Sequence, residues 1–178
     1  MNIFFLDTNI KKSIKAHCDK HVVKMILEYA QILSTSHIIV DGDNCLIRDN
    51  IYKPTHKNHP CVVWTTSHIS HYNIVYNMLI ESISEYTYRY KKQHKTSRLL
   101  EYLKNPPANI NRARTTYKVA TTKFHSLPEQ CMPEQYHIKP KSDDDLASVI
   151  NAYRNYYICE KSDILRYTKR NKPSWITF

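Results

Sequence analysis

Between His17 and Leu33 the chain reads HCDKHVVKMILEYAQIL, and at ~100° per residue its polar groups gather into one narrow sector of a helix. His17, Lys20, His21, Lys24, Glu28 and Gln31 form that stripe, while Cys18, Val22, Val23, Met25, Ile26, Leu27, Tyr29, Ala30, Ile32 and Leu33 cover nearly all the rest of the circumference. A helix apolar on most sides must be packed on most sides, so the stripe is expected to face a cleft or groove. An ordinary solvent-facing stripe is the competing reading. Against it, two imidazoles, two amines and a carboxylate are the groups used in proton transfer, imine formation and metal binding. The pattern predicts a first helix from about Ser13 to Ser36 with Ser13 as N-cap, preceded by a short strand or extended arm at Asn2 to Leu6.

From Pro60, a favourable first helical residue, Ile69, Tyr72, Tyr76, Leu79, Ile83, Tyr86 and Tyr90 recur at steps of three and four and predict one long amphipathic helix. A short helical run then ends at Pro106 and Pro107. Ser142 to Asp145 make a helix start, and Leu146, Val149, Ile150, Tyr153, Tyr157 and Ile164 continue as the last apolar stripe. Asp41-Gly42 is a turn dipeptide that suits a small hairpin, and the segment ANINRARTTYKVATTKFH has so little helical periodicity that it reads as a basic loop. The expected fold is all-α: one compact domain over 1–178, built of three long helices, a short N-terminal arm and irregular basic loops.

Charge points to a partner. Lys and Arg outnumber Asp and Glu by 26 to 16, a formal +10 that favours a polyanion, and double-stranded DNA is the expected one. Arg89, Lys91 and Lys92 interleave with Tyr86, Tyr88 and Tyr90, which suits phosphate contact combined with base stacking. Arg112, Arg114 and Lys118 add a second basic group, and Arg170 and Lys172 a third, just before Trp175. That Trp either stacks on a base or anchors the tail.

The single glycine, Gly42, excludes the glycine-rich phosphate cradles of nucleotide-dependent enzymes, and no cofactor is expected. Five cysteines, odd in number and without a CxxC pair, favour a reducing intracellular compartment over a disulfide framework. No stretch has the apolar length of a membrane span, the N-terminus does not read as a secretory signal, and a monomer is expected.

The string HVVKMILE places Glu28 seven residues after His21, and in this it resembles the phage pyrimidine-dimer DNA glycosylases with AP-lyase activity, the endonuclease V type. The order of later features is similar as well: a long central helix, a Pro-Glu-Gln-aromatic loop at Pro133 to Tyr136, a last helix and a terminal Pro-x-Trp at Pro173 to Trp175. The strings HCDKHVVKM, HPCVVW, EYTYRY and KRNKPSW resemble still more an uncharacterised family of phages and large DNA viruses, whose setting would be the cytoplasm or viral factory of an infected host. The glycosylase resemblance implies a helical domain that binds duplex DNA, flips a nucleotide, attacks the sugar C1′ with an amine and cleaves the backbone by β-elimination.

On that resemblance Glu28 takes the catalytic carboxylate's role, while His21, Lys20 and His17 orient the sugar-phosphate or the base. Those enzymes use the α-amine exposed when the initiator Met is removed before a small residue, whereas Asn2 is a poor context for removal. The amine is then that of Met1 itself, if the arm reaches the stripe, or of Lys24, one turn before Glu28. A rival chemistry takes His17 and His21 as ligands of a divalent metal, with Glu28, Asp19 or His59 completing the shell. Without HExxH, and with Asp19 turned from the stripe, no metal is expected. A metal-dependent nuclease, a base-modifying enzyme and a non-enzymatic DNA-binding or virion protein are the alternatives.

Overall fold

The computed structural model describes residues 1–113, 117–119 and 122–177. Helix makes up 57% of the structure, so the fold is all-α in class. Among the described residues the three long helices of the sequence reading become six: α1 (Ile10–Lys15), α2 (Asp19–Asp41), α3 (Pro60–Ser67), α4 (Ile69–Tyr90), α5 (Leu100–Leu103) and α6 (Leu146–Glu160).

Two breaks account for most of the difference. Ser13 is not the cap of the first helix but lies inside α1, where its hydroxyl donates to the Phe4 carbonyl and accepts from the Leu6 amide, pinning the N-terminal arm. Asn9 caps α1 instead, accepting from the Lys12 amide. The chain then extends at Cys18, and α2 starts at Asp19, whose amide donates to the Arg166 carbonyl 2.8 Å away. The second break falls at His68. There the backbone is extended, the imidazole caps the Ser70 amide and also meets the Ala113 carbonyl, and the Ile69 amide reaches Asn111. Pro60 opens α3 as expected, with His59 as cap of the Cys61 amide.

Asp41-Gly42 does not make a hairpin. Gly42, at φ +55°, ends α2 in a conformation that favours glycine, and short 3₁₀ turns follow at Gly42–Asn44 and Arg48–Asn50. The basic segment expected to be a loop carries a small antiparallel hairpin instead, β1 (Tyr117–Val119) paired with β2 (Thr122–Phe124). Asp145 caps α6 through the Ser148 amide, in agreement with the acidic start read from sequence, but α6 stops at Glu160, short of Ile164.

α2 is the hub. α4 and α3 pack along it and α1 packs on α4. The arm residues Ile3, Phe4, Phe5 and Leu6 are buried with Met25, Ile26, Tyr29, Ile32 and Leu33 of α2 in one core. α6 contributes Tyr153 and Tyr157, whose rings meet Phe4 edge-on. Val23 and Leu27, assigned to the apolar side, are about 40% exposed beside Lys20 and Lys24, so the solvent face of α2 is rotated from the one the pattern implies.

Candidate functional site

The N-terminal arm lies along the polar stripe of α2. Phe4 stacks on His21 with ring centroids 4.6 Å apart and touches His17 edge-on, while the Asn2 amide donates to Glu28 Oε2 at 2.9 Å. Helical rise separates His21 from Glu28 by about 10 Å, whereas the two extended steps from Phe4 to Asn2 span about 7 Å, and the Glu28 side chain reaches the Asn2 amide across the difference. The arm divides the stripe into two parts of different character.

At the His end the stripe is core. His17 is fully buried, with no hydrogen bond to either ring nitrogen, and burial lowers its pKa to about 4. His21 Nδ1 is hydrogen-bonded to the Tyr157 hydroxyl; burial, reinforced by neighbouring positive charge, lowers it to about 3. Phe4 and Tyr157 wall off both imidazoles, and this enclosure, not their neutral state, argues against the catalytic and metal-ligating roles expected of them. Lys20 is exposed to solvent. Asp19 is turned from the stripe, as expected: its carboxylate takes Arg89 and the Thr168 amide and hydroxyl. Burial alone would raise it, but those hydrogen bonds hold it below the usual carboxylate range.

At the Glu end the stripe gathers a carboxylate and two amines. The Glu28 carboxylate is nearly buried, with the Met1 α-amine 3.8 Å from Oε2 and Lys24 Nζ 3.3 Å from Oε1. Of the two amines expected to compete, both reach the carboxylate. They differ in freedom, since Lys24 is 65% exposed whereas Met1 ends an arm whose next residue is clamped. The Asn2 side chain donates to the Cys131 carbonyl at 2.7 Å and accepts from the Ile3 amide and the Tyr153 hydroxyl. The sequence marked Asn2 only as a poor context for removal of Met1, and its clamping contacts show in the long-range pairing alone.

Around the amine stand three side chains, of which the sequence reading named His59 as a possible metal ligand and missed Cys61 and Cys131. His59, Cys61 and Cys131 bring a ring nitrogen and two sulfurs within 4.8 Å of one another, and among the described residues this is the one such group with metal-ligand spacing. The Met1 charge reaches all three. Burial lowers His59, with the Met1 amine adding to the effect. The Cys61 thiol points to Cys131 at 3.3 Å, a hydrogen bond that pushes Cys61 up and holds Cys131 down. A cleft of about 580 Å³ opens beside them, walled by His59, Pro60, Glu129, Cys131, His137 and Tyr156.

The basic residues expected to hold phosphates are spread out, and some are otherwise engaged. Arg89 is buried and bound to Glu85 at 2.7 Å, Asp19 at 2.9 Å and the Lys15 carbonyl at 3.0 Å, so it braces the core and is withdrawn from any phosphate. Arg170 makes two hydrogen bonds to Glu85 and lies 4.0 Å over the Tyr88 ring. Trp175 packs against Tyr157 and under Arg154, contacts that fit the anchoring of the tail. Lys91 and Lys92 are exposed just beyond α4, and Lys172 is exposed in the tail. Arg112 is exposed at the other end of α2, next to the segment whose Ala108 and Asn109 amides bind Asp41. Arg114 lies outside the described residues, as does the side chain of Lys118.

Compared with protein families, with curated proteins and with solved structures, the chain finds no match. No described helix is long and apolar enough to cross a membrane.

Proposed function

We propose that the protein processes a damaged or modified base in duplex DNA, as a glycosylase with lyase activity working through an imine on the Met1 α-amine, with Glu28 as its carboxylate. One observation carries this reading: an α-amine and a nearly buried carboxylate are held 3.8 Å apart by an arm that is itself fixed in place. The free amine attacks the sugar C1′, the C1′–base bond breaks and the base leaves with a proton; the nitrogen lone pair then opens the C1′–O4′ bond, O4′ takes a proton, and the imine forms. The imine then makes the C2′ hydrogen acidic, and its loss expels the 3′ phosphate. In this reading Glu28 takes the proton the amine sheds and returns it to the leaving group.

Lys24 is the second amine in reach of the same carboxylate. α-Amines as a class are weaker bases than lysine amines by about 2.5 pH units, so more of an α-amine is in the nucleophilic form at neutral pH. The DNA component rests on the +10 charge and on the placement of Lys91 and Lys92 near one end of α2 and Arg112 near the other. A helix of 23 residues is about 34 Å long, the rise of about ten base pairs, and Glu28 lies between its ends.

The test is borohydride trapping on a duplex that carries one abasic site, followed by peptide mapping of the covalent band. A band at Met1 supports the reading, and a band at Lys24 transfers the chemistry to that residue. Tight binding of the duplex with no band overturns the imine mechanism and leaves a DNA-binding protein.

A further inference from the structure

We propose that His59, Cys61 and Cys131 form a binding site for a thiophilic divalent cation of the zinc class, with the fourth position open to the adjacent cleft. The donor set comes first. Two sulfurs and one imidazole nitrogen, mutually within 4.8 Å, match the ligand chemistry and number of an open tetrahedral site. The sulfurs are 3.3 Å apart, well beyond the ~2.05 Å of a disulfide, and a tetrahedral ion at ~2.3 Å from each would need them only a few tenths of an ångström farther apart.

Ring orientation agrees. His59 Nδ1 accepts the Cys61 amide, so in the neutral ring its lone pair is on the Cys61 side and the proton is on Nε2. A cation between the sulfurs would take that lone pair in exchange for one N–H at a helix start, where backbone donors lack intrahelical partners in any case. The scaffold is firm. Cys61 is buried in the first turn of α3, behind Pro60, and the Cys131 backbone is held by the Asn2 side chain at its carbonyl and by the Tyr153 hydroxyl at its amide. Access comes from the cleft, of which His59 and Cys131 form part of the wall.

On binding, each thiol releases its proton to solvent and two thiolates neutralise the dication, so the pair adds no net charge beside the Met1 amine. The site rests on its own geometry and not on the proposed imine chemistry; trapping can fail while the cation binds, and the reverse.

The experiment is a Co²⁺ titration of the reduced full-length protein, read by the thiolate-to-metal charge-transfer band and then by its displacement with Zn²⁺. Saturation at one equivalent is expected, with the band lost in Cys61→Ser and in Cys131→Ser and retained in Cys159→Ser, which alters an exposed cysteine outside the cluster. The wild-type titration stands even if a variant folds poorly, and half-buried Cys131 offers the milder substitution. Absence of a thiolate band in the reduced wild type overturns the proposal. So does a band unchanged in both Cys variants, or a cluster that yields only a Cys61–Cys131 disulfide, seen as a two-hydrogen mass loss, and takes up no cobalt when reduced.

Discussion

Replacing His17 by leucine tests whether the His end of the α2 stripe is core or chemistry. The imidazole is fully buried with no hydrogen bond at either nitrogen, and it titrates at about 4 against 6.5 in its ordinary setting. A depressed histidine leaves the folded state neutral while the unfolded chain takes up a proton below pH 6.5. Stability is thus complete above 6.5 and is lost as the pH falls toward 4. At 1.36 kcal/mol per pH unit the whole span is about 3 kcal/mol, of which about 2 kcal/mol is lost by pH 5. Leucine fills similar space and leaves no orphan donor or acceptor behind, so His17→Leu is expected to be near wild-type stability at pH 7.5. At pH 5.0 it should exceed the wild type by about 2 kcal/mol. Urea unfolding of both proteins at the two pH values measures this, and the difference largely cancels the other lowered histidines, which both proteins share. Parallel pH dependence, or a variant that is the less stable one at pH 5.0, refutes the argument.

Glu28→Gln keeps the shape and the acceptor for the Asn2 amide but cannot take a proton; trapping and strand cleavage should fall by at least ~10², with duplex affinity unchanged. Intact turnover in that variant would end the carboxylate's proposed role. Arg89→Met strips a buried guanidinium from Glu85 and Asp19 and should cost about 3–5 kcal/mol by urea unfolding at pH 7. Because both carboxyls are held below their ordinary range, that cost should shrink in acid, once pH falls below the usual 4.5 of a Glu and 3.8 of an Asp. Lys91→Ser combined with Lys92→Ser should weaken binding on all duplex sequences alike and lower the salt slope of log K by up to about 2, as read by binding at several salt concentrations.

Much of the helical framework is legible in the chain because it depends on local pattern. The apolar step of α4, the Pro60 start and the Asp145 cap follow from spacing and capping chemistry alone. The breaks at Cys18 and His68 do not, because what diverts the backbone there is distant: Arg166 and Asn111 supply the carbonyls that take the Asp19 and Ile69 amides. Histidine caps at His59 and His68 were equally hidden, since imidazole is not among the favoured capping side chains. Arg89 shows the same limit from the charge side. In sequence it is one of a basic run at a helix end, and the distant Asp19 carboxylate and Lys15 carbonyl, together with Glu85 one turn before it, make it a core residue. The place of Glu28 and Lys24 on one helical face was legible from spacing, whereas Cys61 and Cys131 come together only in space.

The placement of the amine does not depend on Met1 keeping its own position, and this gives a last prediction. Phe4 on His21 and the Asn2 side chain on Cys131 and Tyr153 fix the arm, so the nitrogen of residue 2 already sits 2.9 Å from Glu28 while that of residue 1 is 3.8 Å away. Loss of Met1 would turn the Asn2 nitrogen into the α-amine at the same carboxylate, with its side-chain clamp intact. A chain extended by two residues before Met1 would instead make the Met1 nitrogen an amide, which forms no imine. Trapping should therefore survive removal of Met1, confirmed by intact mass, and be abolished by the two-residue extension, with Lys24 present in all three proteins. An extended chain that still traps at the native rate assigns the chemistry to Lys24, and then the arm's contribution is to hold Glu28 rather than to supply the nucleophile.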